Sequence, residues 1–250
     1  MLKATARLLR DGAVSLGYPD DCRICGNSIQ SWRDGVACAK CWEDPDITDL
    51  LTGQPLCRKC GAPVSRPSGS ADCALCKDLP VGSARACGAY KGALEASVLF
   101  LKSHPHIHGR LYGLMRAAFA GSESALSSDL VVPVPLHRSR LKERGFNQAG
   151  VVARALGQIS GLTVHYHVLE RTKQTRRHRI GMDAKERAKS VQGAFRVLRP
   201  DIARGRSVLI CDDVMTSGST IGEVARCLET AGAIRVNAFT IARAIIRPAS

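Results

Sequence analysis

A chain of 250 residues, 45% hydrophobic and 23% charged, holds enough apolar material for one large globular domain or two small ones. It has no run of about 18 uninterrupted apolar residues, which argues against a membrane span, and no apolar stretch follows Lys3, Arg7 and Arg10, which argues against a secretory leader and for a cytoplasmic protein. The formal net charge of +14 is lopsided: residues 1–90 hold 11 Lys/Arg against 10 Asp/Glu, so nearly all of the excess falls in residues 91–250, where it would attract an anionic partner.

In chain order, residues 1–17 read as a short amphipathic helix and residues 18–85 as a cysteine-rich unit. Eight of the 11 cysteines form four C-x2-C pairs, Cys22/Cys25, Cys38/Cys41, Cys57/Cys60 and Cys73/Cys76. Each consecutive couple of pairs is separated by twelve residues, so one unit occurs twice. This is zinc-ribbon spacing: a tight turn in each pair can aim two thiolates at one metal. Gly26 and Gly61 follow the second cysteine of their pairs, where a positive φ is often needed. Disulfides would suit a secreted chain, and the sequence shows no export signal. A redox pair would call for one copy in a βαβ setting, not four. Two structural zinc ions are therefore expected, grouped as Cys22, Cys25, Cys38, Cys41 and Cys57, Cys60, Cys73, Cys76; an interleaved grouping fits the spacing as well. Cys211 and Cys227 read as small core residues.

The remainder, residues 86–250, reads as alternating strands and helices, hence a parallel α/β sheet with flanking helices. A short strand is expected at 86–90 and helices at 93–101 and 109–120. Between those helices lie Lys102 and His104, His106 and His108, which read as a solvated loop because Pro105 interrupts them and no acid is near. Leu130 to Val134 reads as a buried strand running into Leu136, His137, Arg138 and a basic turn that ends at Arg144, followed by a helix at 146–159. Thr163 to Leu169 alternates and reads as one strand. Residues 170–190 carry eight Lys/Arg and three acids and read as mobile. Residues 234–243 supply a last strand.

The most informative stretch is Ser207 to Thr220, SVLICDDVMTSGST. The apolar run Val208–Cys211 suits a strand buried on both faces. It ends in Asp212 and Asp213; then come Val214, Met215, Thr216, Ser217, Gly218, Ser219 and Thr220, and a helical pattern with Ile221, Val224, Ala225 and Leu228 on one face. Strand, small polar loop and helix build a phosphate cradle: small residues let backbone N–H groups approach an anion, and the helix N-terminus adds positive potential. The acids cannot bind phosphate but can accept hydrogen bonds from sugar hydroxyls. They are expected to be exposed at the strand end, with loop amides as their partners.

This stretch resembles the phosphoribosyl pyrophosphate (PRPP) motif of type I phosphoribosyltransferases: four apolar residues, two acids, two variable residues and Thr-Ser-Gly-Ser-Thr. The string VPVPLHRSRLKERGFNQA, residues 132–149, together with the N-terminal cysteine pairs, resembles the ComF family of phosphoribosyltransferase-like proteins. The resemblance runs from Cys22 to Arg243. It implies a double zinc ribbon in front of a type I phosphoribosyltransferase domain. It implies a PRPP site made of Lys102, Leu136, His137, Arg138, Asp212, Asp213 and the loop Val214–Thr220, with magnesium carried by the pyrophosphate. Asp212, Asp213 and Arg144 form the candidate catalytic set, since guanidinium groups make bidentate bonds to phosphate oxygens. Thr216 stands where purine-salvage members carry a catalytic Asp, and the chain begins Met1-Leu2-Lys3 where glutamine-dependent amidotransferases expose a Cys, so neither of those activities is expected. His178, Arg179 and Ser190 depart from the family's usual Gln and Asn, whereas Arg187 and Val191–Phe195 match. The family's link to DNA uptake and natural transformation implies two roles: a phosphoribosyltransferase with an unspecified acceptor, or a non-catalytic factor that binds single-stranded DNA and DNA-uptake partners under control of PRPP or a nucleotide.

Overall fold

The structure is a computed structural model that describes residues 21–44, 55–64, 73, 76–124, 126–174 and 184–245. The expected helix at 1–17 and the core of the basic stretch, 175–183, lie outside the described residues.

Five parallel strands form the main sheet: β1 (Ala84–Ala89), β2 (Leu130–Pro133), β3 (Thr163–Val164), β6 (Ser207–Met215) and β7 (Arg235–Arg243). Their spatial order is β1-β7-β6-β2-β3, so the last strand in the chain lies inside the sheet, between β1 and β6. All pairings are parallel, with Val132 beside Ile210, Asp212 beside Thr240 and Met215 beside Arg243. The continuous apolar runs of β2, β6 and β7 follow from burial on both faces.

Alternate residues of those strands enter two cores. On one face Val131, Leu209, Cys211, Phe239 and Ile241 pack with helices α2 (Gly92–Leu101), α3 (Gly109–Ala120) and α5 (Gln148–Ser160). Cys22, Val36 and Trp42 of the first cysteine unit join this core, Trp42 closing the short helix α1 (Ala39–Trp42). On the other face Leu130, Val132, Val208, Ile210 and Val236 pack with Ile221, Val224 and Leu228 of α8 (Ser219–Thr230), and Cys57, Cys60 and Cys76 join them. The two cysteine units are thus seated on opposite faces of one sheet.

Two expected elements take another form. Thr163–Leu169 is not one strand. The chain leaves the main sheet after Val164, and β4 (Leu169–Arg171) pairs antiparallel with β5 (Phe195–Val197). Val168 and Leu169 are adjacent and both buried, which a two-residue alternation cannot place on one face. The basic turn at 138–144 is a helix, α4 (Arg138–Arg144), with His137 as N-cap accepting from the Ser139 amide and Gly145 closing it at φ 81°. Asn147 then caps α5 by accepting from the Ala149 amide, so that helix begins at Gln148. Within the basic stretch expected to be mobile, Ala184–Val191 forms α6, and α7 is the single turn Pro200–Ala203 that leads into β6.

Candidate functional site

The strand–loop–helix unit from β6 to α8 has the geometry of an anion cradle. Gly218 is the N-cap of α8 in a left-handed conformation, φ 78°, and makes no side-chain cap. The N-cap residue therefore offers the first N–H groups of the helix no acceptor of its own, and among the described residues only the Ser219 amide reaches a side chain, Ser217 Oγ at a long 3.5 Å. The Ser217 and Ser219 hydroxyls lie 2.7 Å apart beside them, and Thr216 is exposed. A Cβ on Gly218 would come within 3.0 Å of Met215 Cε and 3.1 Å of Leu79 Cδ1, so this position needs both its φ and its lack of a side chain.

Asp212 and Asp213 lie within β6, not beyond it, and are half-buried where exposure was expected. The reason is the length of the strand: pairing with β7 continues past the acids to Met215. Each carboxylate accepts from the next backbone amide, Asp212 Oδ1 from Asp213 N at 2.9 Å and Asp213 Oδ1 from Val214 N at 2.8 Å. Asp213 Oδ2 also accepts from Gln148 Nε2 at 3.4 Å. Burial, and then the neighbouring Asp213 charge, push the Asp212 carboxyl well above its ordinary range. Burial, and then the charges of Glu95 and Asp213, likewise raise the Tyr90 hydroxyl.

The opposite wall comes from α4 and the end of α2. Lys102, Ser103, Arg140, Glu143 and Arg144 line a cavity of about 570 Å³. Arg144 donates to Gln148 Oε1, so Arg144, Gln148 and Asp213 form one hydrogen-bonded chain from this cavity to the acid pair. Arg138 is engaged elsewhere: its guanidinium pairs with Glu170 at 2.7 Å, and Arg196 holds the other oxygen of the same carboxylate at 2.7 Å. Arg196 first, and Arg138 after it, hold Glu170 below its ordinary carboxylate value. Leu136 and His137 are half-buried at the end of β2, His137 being held by Ser139. The three histidines expected in a solvated loop form a ring cluster. His104 stacks on Phe100 with centroids 4.1 Å apart, and Arg23 of the first cysteine unit lies 5.2 Å above the same ring.

The eight cysteines gather into two groups in sequential order, Cys22, Cys25, Cys38, Cys41 and Cys57, Cys60, Cys73, Cys76, with the sulfurs of each group within 4.8 Å of one another. Cys25–Cys38, Cys57–Cys76, Cys60–Cys73 and Cys73–Cys76 stand at 3.6 Å. That is far longer than a disulfide, about 2.05 Å. It is close to the edge of a tetrahedron of sulfurs with metal–sulfur bonds of about 2.3 Å. The donor set fits a metal in each group. The two units repeat one turn: Gly26 N–H donates to Cys22 O and Gly61 N–H to Cys57 O, both at 2.9 Å. Burial raises the Cys22 and Cys57 thiols, but neighbouring backbone amides pull both down to about 6, which favours the thiolate a metal requires.

The model of the phosphoribosyl transferase domain matches residues 141–248. Competence protein F of Haemophilus influenzae is 31% identical over 117 residues, 46% of this chain and 51% of its own length; the match spans about half of that relative. Competence protein ComFC of Bacillus subtilis is 26% identical over 241 residues, 89% of this chain and 94% of that protein. DNA utilization protein YhgH of Salmonella typhimurium is 30% identical over 196 residues, which cover 76% of this chain and 85% of that protein. The chain belongs to the ComF family. For a ComF-family chain, the cysteine units and the phosphoribosyl transferase domain are parts of one packed body, since both units enter the cores of the sheet.

Several residues of this ComF-family site were not legible in the sequence. Gln148 reads there only as one residue of the helix at 146–159; the fold shows it buried between Arg144 and Asp213. Glu223, on α8, accepts from the Gly193 amide at 2.6 Å and so fixes the turn before β5 to that helix. Arg243 is buried and reaches Cys60 and Met215. Among the described residues no helix is long and apolar enough to cross a membrane.

Proposed function

We propose that this chain binds PRPP, with the loop Thr216–Thr220 and the N-terminus of α8 holding the 5′-phosphate and Asp212 and Asp213 accepting from the ribose hydroxyls. The observation that carries this reading is the N-terminus of α8, with a glycine as its N-cap, directly after an acid pair in one strand–loop–helix unit. The Arg144–Gln148–Asp213 chain and the basic cavity beside it suit the pyrophosphate side of the ligand. Magnesium bound with the pyrophosphate would shield its charge as it leaves. The two cysteine groups hold zinc as closed, structural sites, because four thiolates leave no open position. Lys102, Leu136, His137 and Arg138 complete the binding set, Arg138 by exchanging Glu170 for the ligand.

Calorimetry with PRPP and Mg²⁺ on wild type and on the Asp212→Asn/Asp213→Asn pair tests the site. Binding in the wild type and loss in the double variant are expected, with far-UV dichroism unchanged. Equal affinity in both would remove the reading. Metal analysis should find about two zinc ions per chain, and about one in Cys57→Ser.

A second reading is favoured by the charge of residues 91–250 and by relatives named for competence and DNA utilization. In it the protein is a single-stranded DNA-binding factor of DNA uptake, with PRPP as regulator. Pyrophosphate release that depends on an added acceptor supports the enzyme; salt-sensitive DNA binding without turnover supports the factor.

A further inference from the structure

We propose that Arg243 is a positioning residue that ties the second cysteine centre to the phosphate loop, so that metal held by Cys57, Cys60, Cys73 and Cys76 orders the loop at 216–222. Arg243 ends β7 and is 5% exposed, an unusual burial for a permanently charged group. Among the described residues no carboxylate pairs with it. Instead Nη1 donates to Cys60 O at 2.7 Å, and Nη2 lies 3.5 Å from Cys60 Sγ. Four thiolates around a divalent metal carry a net negative charge, and a buried charge without a counter-charge is expensive. The guanidinium therefore offsets part of the charge of the metal centre, with Arg85 as a second cation acting on Cys57 and Cys60, and the centre in turn makes the burial of Arg243 tolerable.

The same guanidinium reaches the phosphate loop. Its Nη1 is 3.2 Å from Met215 Sδ, and Met215 is the strand partner of Arg243 and the last residue of β6. Met215 Cε and Leu79 Cδ1 are the atoms that enclose Gly218, the left-handed N-cap of α8. Leu79 is itself held by the last knuckle, its amide donating to Cys76 O at 3.1 Å. Pro80 Cδ lies 3.4 Å from where a Cβ on Gly222 would stand. Two routes thus run from the second centre to the loop, one through Arg243 and Met215 and one through Leu79 and Pro80. Among the described residues the first centre shows no such route, for it packs into the core on the opposite face of the sheet.

The coupling rests on the reading of 216–220 as the PRPP loop, so two measurements that need no PRPP accompany the binding assay. In the zinc-loaded full chain, release of metal to a chromogenic chelator is followed alongside hydrogen exchange of residues 216–222. Arg243→Gln should make one of two zinc equivalents leave about tenfold faster or more, as loss of a partner to a ligand does elsewhere. The other equivalent should leave at the wild-type rate, which also reports an intact fold. Exchange in 216–222 should speed up by a similar factor, and Arg243→Lys should restore part of both. Should Arg243→Gln fail to fold, Arg243→Lys decides, with both effects expected at several-fold. Labile zinc with unchanged loop exchange, or two unaffected zinc ions, would overturn the coupling. Absence of PRPP binding to the wild type, with both coupled effects present, would overturn the ligand reading and leave the coupling standing.

Discussion

The Gln148 amide donates to the Asp213 carboxylate across the gap between α5 and β6, 3.4 Å from Nε2 to Oδ2. Its other end accepts from Arg144, so a single buried side chain sets the distance between the cationic wall and the acid pair. A hydrogen bond to a charged group contributes about 1.5–3 kcal/mol. Gln148→Leu should therefore weaken binding of Mg–PRPP by roughly 10- to 100-fold in calorimetry while the protein stays folded. Gln148→Glu places a second carboxylate against Asp213 and should bind worse at neutral pH than at mildly acidic pH.

Asp212 should lower the stability of the ligand-free protein. Its native pKa is raised, by burial first and by Asp213 second, so the folded chain holds the proton more tightly than the unfolded chain does. Stability from this group is then greatest below the ordinary carboxylate range, and is lost as pH rises towards the raised native value. Asp212→Asn removes the penalty and keeps an oxygen for the Asp213 amide. At neutral pH the variant should gain about 1 kcal/mol, a Tm rise of roughly 2–4 °C for a chain of this size. The gain should vanish in acid, where both forms are neutral. Thermal melts at two pH values check this; a variant less stable than wild type at neutral pH refutes it. The same substitution should abolish PRPP binding, a trade of stability for function.

How much of this was readable before the fold depends on the range of the interaction. The strand at Leu130 and the strand at Val208 follow from local composition and appear where their apolar runs place them, while the loop expected at Val214–Thr220 shrinks to Thr216–Gly218, because β6 runs on to Met215 and α8 begins at Ser219. The spacing of the cysteine pairs is local as well. The break after Val164 was hidden because the alternation continues on paper to Leu169, while the buried neighbours Val168 and Leu169 need a different partner strand. The burial of Asp212 and Asp213 depends on β7 extending to Arg243, which no window around residue 212 contains. Arg243 and Cys60 lie 183 positions apart, and nothing near either names the other.

The two knuckle glycines separate what the repeat dictates from what the fold adds. Gly26 and Gly61 hold the same place in their units, with φ 75° and 66°. A Cβ on Gly26 meets nothing within 4 Å, whereas on Gly61 it would stand 2.7 Å from Ala84 O, a backbone atom at the start of β1. Gly26→Ala should therefore cost only the left-handed strain, about 1 kcal/mol. Gly61→Ala should cost more, about 2–4 kcal/mol, because the knuckle or the strand must move. Denaturant unfolding of the zinc-loaded proteins should show the ordering; equal costs would mean that the Cys57/Cys60 turn is not pressed on β1.

The DNA-binding reading makes a quantitative demand. If single-stranded DNA follows the basic segments 138–144 and 171–189, contact with roughly five phosphates gives a log–log salt slope of about −3.5 on single strands. Arg176, Arg177 and Arg179 belong to the second segment and lie outside the described residues. Replacing all three with Ala would remove up to three contacts and flatten the slope to about −1.4, with zinc content unchanged. The first segment borders the cavity of Lys102, Arg140 and Arg144, so saturating PRPP should compete with the DNA. Fluorescence anisotropy over a salt series measures both effects. Arg138 gives an internal comparison: Glu170 holds both it and Arg196, so Glu170→Gln should free two cations and steepen the slope by up to about 1.4. If DNA does not bind at low salt, or binding ignores these arginines, the charge of residues 91–250 belongs to PRPP alone and the enzyme reading gains.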